Sequence, residues 1–197
     1  MPNTLNIETV RNAFAGMQPE SLIGTWIKID GIPEKHFVGT VGVHPLSGEP
    51  VFATVPETDF QKWLQGGPFQ RVPHRIFSHS YPDGRGVLIT NSGNVSFRHL
   101  NLPVPEWPEN DRALFRKYPL CAHIDFPNAG ECIIMAAMLF PTPKGKLATS
   151  VILCDVKNLS PAGGFPIPLL MLDLAGLAPA THAQDISSGQ TDIKLHR

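Results

Sequence analysis

The sequence predicts an α+β domain dominated by an antiparallel β-sheet, which we expect to curl into a half-barrel or a sandwich. β-branched and aromatic residues recur in short runs, and turn-rich gaps such as "PDGRG" and "NSGN" separate these runs. The 197 residues include 20 prolines and 17 glycines, which favour many short elements over long helices. Three short helical patterns separate the predicted hairpins, an order typical of the α+β class.

The N-terminal part of the chain is predicted to hold two of these helices and the first hairpin. "NIETVRNAFAG" has apolar residues at helical spacing and predicts a short opening helix. "LIGTWIKID" alternates like a strand, and "HFVGTVGVHPLSGEPVFATV" predicts two strands around a turn. "TVPETDFQKWLQGG" combines a capping-box pattern with an apolar face and two closing glycines, so it predicts a second helix of about two turns.

The middle of the chain is predicted to form a meander followed by the third helix. "HRIFSHSYPDGRGVLITNSGNVSFRHL" contains three β runs around two hairpin turns. "NLPVPEWPEN" is rich in proline and predicts an extended connector. "ENDRALFRKY" can then form a short helix, which must end before Pro119.

The last predicted strands are three largely apolar runs, "PLCAHIDF", "ECIIMAAMLF" and "KLATSVILCDV". Apolar runs of this length are typical of strands that are covered on both faces, so we expect three neighbouring antiparallel strands at the centre of the core. We predict that residues 1–177 form a single domain. Residues 178–197 are polar and aperiodic, and they are predicted to be a flexible C-terminal tail.

Composition excludes several classes of function. The net charge is −1 and the basic residues are scattered, which argues against nucleic acid as a partner. No apolar run approaches the ~20 residues that cross a bilayer, and the N-terminus has no signal-peptide pattern, so we expect a cytoplasmic protein, or one exported without a cleaved signal peptide. Three cysteines without a C-x-x-C pair predict free thiols, and neither a metal nor a cofactor is expected.

One cluster of reactive residues stands out, around "CAHIDFPNAGEC". If Phe126 pairs with Glu131 across the turn, side-chain alternation places four residues on one face of the sheet. These residues are Cys121, His123, Asp125 and Cys132. Cys121 could then act as a nucleophile, His123 could accept its proton, and Asp125 could orient the imidazole.

The same cluster has a structural interpretation. Residues two apart on a strand are separated by roughly 6 to 7 Å, so their side chains must lean together to bond. Free cysteines are also among the most buried residues, and a histidine on an apolar strand usually belongs to the core. Two functions therefore stay open. The first is a binding module that uses a face or groove of its sheet to engage a protein partner or a small ligand. The alternative is a cysteine-dependent hydrolase, deamidase or transferase.

The other histidines predict no site. His74 and His79 are five positions apart and would point to opposite faces of a regular strand, which argues against a shared metal ion. His36 and His44 flank an apolar strand, and we expect them to be exposed at the end of a hairpin.

Overall fold

The computed structural model describes residues 19–43, 49–80, 83–126, 130–155, 170–173 and 194–196. In these ranges the chain is mostly antiparallel strand, as predicted. No helix within them is long and apolar enough to span a bilayer.

Eleven strands form one sheet in the described part of the chain. Their bounds are β1 Trp26–Ile29, β2 Lys35–Val43, β3 Pro50–Pro56, β4 Val72–Ser80, β5 Arg85–Thr90, β6 Gly93–Leu100, β7 His123–Phe126, β8 Gly130–Pro141, β9 Leu147–Asp155, β10 Leu170–Asp173 and β11 Lys194–His196. The three helices described are α1 Pro19–Leu22, α2 Glu57–Leu64 and α3 Glu109–Lys117.

The first six strands close into a barrel in the order β1-β6-β5-β4-β3-β2. Closure depends on β1, which pairs with β6 on one side and with β2 on the other. The expected half-barrel or sandwich is therefore wrong in this detail. Closure satisfies the hydrogen-bonding groups on both edges of β1, which an open sheet would leave unpaired.

The sheet continues beyond the barrel because a second part of β2 pairs with β8. β8 lies between β7 and β9, so the three predicted neighbouring strands are confirmed. The hairpin of β2 with β3 and the meander of β4, β5 and β6 are also confirmed.

Two predicted helices are confirmed, while α1 was not anticipated. α2 lies on the outside of the barrel and packs Phe60 and Trp63 against β1 and β2. Phe60 lies 4.6 Å from Trp26 and 5.0 Å from Phe37 between ring centroids. Burial of this aromatic cluster fixes the helix on the barrel wall.

Two predictions fall largely outside the described residues. The opening helix was expected within residues 6–16, before the first described residue. Most of the tail predicted for residues 178–197 is also outside, but β11 within that segment pairs with β7.

Candidate functional site

The two faces of the barrel wall can be assigned from ring contacts. Phe97 in β6 lies 5.7 Å from Phe52 in β3, between ring centroids. β6 and β3 are not neighbours, so this contact crosses the barrel interior. Since side chains alternate along a strand, Arg98 points outward.

A groove of about 530 Å³ lies on the outer face, across β4, β5 and β6. Asp30, directly after β1, lies at one edge of the groove, and its backbone N–H donates to the Ser96 carbonyl at 2.9 Å. The charged and hydroxyl-bearing residues that line the groove are Asp30, Ser78, Ser80, Arg85, Ser96 and Arg98.

Basic residues form a row across three neighbouring strands at this groove. Lys28 in β1 pairs with Arg98 in β6, and Arg98 pairs with Arg85 in β5. Like charges directly opposite each other destabilise a sheet. Lys28 turns away, because its ammonium donates to the carbonyls of Ile32 and Pro33.

The two arginines are therefore the positive charges that face the groove, and the Asp30 carboxylate is the negative charge at its edge. Both arginines are exposed, and neither guanidinium forms an ion pair with a carboxylate of the described residues. Ser80 pairs with Arg85 on the other side, which places a hydroxyl beside the guanidinium row. Guanidinium and hydroxyl donors in this arrangement can bind the oxygens of an anion.

A β-bulge in β4 shapes the groove. The register with β5 shifts between Ile76 and Ser78, so Phe77 is the extra residue. Ile76 and His79 are both buried, whereas Phe77 is 60% exposed. The bulge therefore turns His79 inward, and both Phe77 and Ser78 lie on the outer side of the wall.

Below the groove, His79 meets His99 of β6 inside the barrel. Their Nε2 atoms are 3.0 Å apart and their ring centroids 5.1 Å apart, so the two nitrogens face each other. One neutral ring must donate its N–H to the other. Burial, together with the nearby His79, lowers the pKa of His99 to about 4.

A second histidine pair lies deeper in the barrel and shares the Thr54 hydroxyl. Thr54 Oγ1 is 2.8 Å from His36 Nδ1 and 3.0 Å from His74 Nε2. Burial lowers the pKa of His74 to about 4, and electrostatic repulsion from the nearby His36 contributes to this shift. Burial likewise lowers the pKa of His36.

Two expectations about these histidines are wrong. His36 is only 3% exposed, because it lies on the inner face of β2 rather than at an open hairpin end, while His44 lies outside the described residues. His74 and His79 both point inward, because the bulge at Phe77 reverses the alternation that a regular strand would have. In the part of the chain that is described, no three His, Cys, Asp or Glu residues come together as potential metal ligands.

The predicted cysteine cluster takes a different register from the expected one. Phe126 pairs with Gly130 rather than with Glu131. This one-residue shift places Cys132 opposite Ile124, on the other face of the sheet from His123 and Asp125. On its other side, Cys132 lies opposite Asp155 of β9.

Cys121 lies before β7, in a turn rather than in the strand. Its φ angle is 66°, in the left-handed region, and its N–H donates to the Ile134 carbonyl at 2.8 Å. The residue is 3% exposed. His123 Nδ1 bonds the Glu131 carboxylate. The proposed roles of Cys121, His123 and Asp125 stay predictions.

No family model, curated protein or solved structure matches this chain. The site must therefore be interpreted from its own geometry.

Sequence reasoning missed Arg85 and Arg98, although the sequence holds a signal for them. The turn between β5 and β6 contains only Asn91 and Ser92, since Thr90 pairs with Gly93. Counting outward from a two-residue turn places Arg85 opposite Arg98. Two like charges at paired positions destabilise the sheet, so this pairing is a local signal that the stability of the fold does not explain.

Proposed function

We propose that this protein is a binding module that holds the anionic group of a small ligand in the groove over β4, β5 and β6. Arg85 and Arg98 would bind the anion. Ser78 and Ser96 would donate hydroxyl hydrogen bonds, whereas the Ser80 hydroxyl donates to the Asp83 carboxylate at 3.5 Å. The cross-strand pairing of the two arginines is the observation that carries this proposal.

Electrostatics favours an anion over an empty groove. Two like charges directly opposite each other cost the sheet roughly 0.2 to 1 kcal/mol. An anion between the guanidiniums reverses the sign of this interaction and accepts charge-assisted hydrogen bonds from both. The groove volume of about 530 Å³ also suits a small molecule.

The proposal can be tested by calorimetric titration with ribose 5-phosphate at low ionic strength. Arg85→Gln and Arg98→Gln should each weaken binding about tenfold or more, because each removes charge-assisted hydrogen bonds. Arg75→Gln is the matched control, since Arg75 is also exposed on β4 but pairs with Glu49 outside the groove.

Stability of the ligand-free protein gives a second readout. Arg85→Gln and Arg98→Gln should raise the free energy of unfolding slightly, because each relieves the repulsion between paired charges. Arg75→Gln should not, since it breaks an ion pair. The proposal fails if wild type does not bind ribose 5-phosphate, or if the groove variants bind it as tightly as the control does.

Cysteine-dependent catalysis is a second candidate, and the backbone of Cys121 favours it. A non-glycine residue at φ 66° stores strain, and such strain often accompanies active sites. Burial to 3% exposure favours packing instead, because reactive thiols are usually accessible. Thiol labelling of the native protein across pH separates the two. Fast labelling with a lowered thiol pKa supports catalysis, whereas protection until unfolding supports packing.

A further inference from the structure

We infer that the ligand of the groove joins a planar aromatic ring to a phosphate, as a nucleoside monophosphate does, and that the ring stacks on Phe77. This inference rests on the proposed anion site. The arginines alone would accept any small anion, and the aromatic ring narrows the expected ligands to one chemical class.

The exposure of Phe77 needs a physical reason. At 60% it is by far the most exposed of the large hydrophobic side chains described, ahead of Leu102 and Val104 at 37% and 39%. Single exposed apolar residues are common on protein surfaces. Phe77 differs because it is the extra residue of a bulge, and bulges often occur beside binding sites, where they redirect side chains.

The bulge connects Phe77 directly to the groove. Ser78 lines the groove and pairs with Val87, which also lines it. Phe77 precedes Ser78 on the same outer side, so it lies next to a lining residue, at the end of the groove away from the arginine row, without itself lining the groove. An exposed aromatic face at that position can stack with a flat ligand ring.

The distance between Phe77 and the arginine row favours a ligand in which a further group separates the ring from the phosphate. The arginine row crosses β4 at Ser80, three residues beyond Phe77. At a rise of ~3.3 Å per residue, this separation is about 10 Å between backbones, which the arginine side chains can shorten. A sugar between base and phosphate provides a comparable separation, whereas a phosphate attached directly to a ring does not.

The chemistry of the groove also matches the other parts of such a ligand. The two guanidiniums provide the charge for a phosphate dianion. The Asp30 carboxylate at the edge can accept hydrogen bonds from sugar hydroxyls, and the serine hydroxyls can donate to them or accept from them. One pair of arginines in a groove of this size is suited to a single nucleotide rather than to a polymer, in keeping with the scattered charge of the sequence.

The test compares AMP with ribose 5-phosphate, which carries the same sugar and phosphate but no base. Wild type should bind AMP roughly 5- to 30-fold more tightly, because stacking of one base on an aromatic side chain contributes on that order. Phe77→Ala should remove this preference while leaving the affinity for ribose 5-phosphate unchanged. Phe77→Trp should keep it. Leu102→Ala is the control for loss of an exposed apolar side chain.

The outcomes separate this inference from the proposed function. If ribose 5-phosphate binds through the arginines but AMP binds no more tightly, the ring inference is wrong and the anion site stands. Retention of the AMP preference in Phe77→Ala would likewise overturn it. If neither compound binds, both the anion site and the ring inference are wrong.

Discussion

Mild acidification should destabilise the barrel through the histidines in its interior. His74 and His99 have a pKa of about 4 in the folded protein, against an ordinary value near 6.5. The unfolded chain therefore binds protons at pH 5 that the folded chain does not. Stability is fully present above about pH 6.5 and is lost progressively as the pH falls toward 4.

The magnitude follows from linkage. When the pH falls from 7 to 5, a group whose pKa is 6.5 in the unfolded chain and about 4 in the folded protein lowers the free energy of unfolding by roughly 2 kcal/mol. We assign this loss of stability to His74. We assign a smaller loss to His99, because His99 is less buried and solvent screens its charge more. A total loss of about 2 to 3 kcal/mol is a large fraction of the stability of an ordinary domain.

Urea unfolding at pH 7, 6 and 5 provides the assay, followed by the fluorescence of the buried Trp26 and Trp63. Asp59 also has a lowered pKa, from its hydrogen bond with Lys62, but its effect on stability falls below about pH 4 and outside the measured range. His74→Gln and His99→Gln remove the titrating groups and keep hydrogen-bonding capacity.

The double variant should therefore lose less stability than wild type over the same range. Equal free energies of unfolding at pH 7 and pH 5 in wild type would refute the reasoning. A double variant with an undiminished pH dependence would also refute it, because other groups would then be responsible.

Two further predictions concern the packing around the sites. Gly86→Ala should destabilise the fold by about 1 to 3 kcal/mol, because the new Cβ would lie 2.2 Å from Cζ of Phe97 and 2.7 Å from the backbone oxygen of Ser78. Chemical denaturation measures this, and a near-neutral result would mean that both the Phe97 ring and the Ser78 carbonyl can shift. Cys121→Ser should cost roughly 1 to 3 kcal/mol if the buried hydroxyl lacks a partner, and Cys121→Ala should cost less. In thermal melts, a Cys121→Ala variant more stable than wild type would argue for a functional thiol.

The elements that the sequence predicts well are those set by local interactions. The hairpin of β2 with β3 and the meander from β4 to β6 follow from alternation and from turn residues that lie next to each other in the chain. α2 and α3 follow from apolar spacing and from proline or glycine at their ends. The register of β7 with β8 differs by one residue, because Phe126 pairs with Gly130 and three residues rather than the expected four separate the paired positions.

Closure of the barrel could not be predicted in the same way. It requires β1 to pair with β6, whose partner residues are about 70 positions away, as in Trp26 with Leu100. β1 has only four residues, and its sequence has no pattern that shows whether it pairs with one neighbouring strand or with two. Pairings of this kind are decided by the packing of the whole sheet rather than by the strand itself.

The bulge at Phe77 explains why the site and the interior were both missed. "HRIFSHS" has the composition of a regular strand, and a regular strand would place His79 outward and Ser78 inward. The extra residue reverses both positions, so His79 meets His99 inside while Ser78 joins the arginines outside. One backbone irregularity thus builds the rim of the groove and the histidine pair beneath it. The two features share β4, β5 and β6, and substitutions that straighten β4 should therefore disturb anion binding and the pH dependence of stability together.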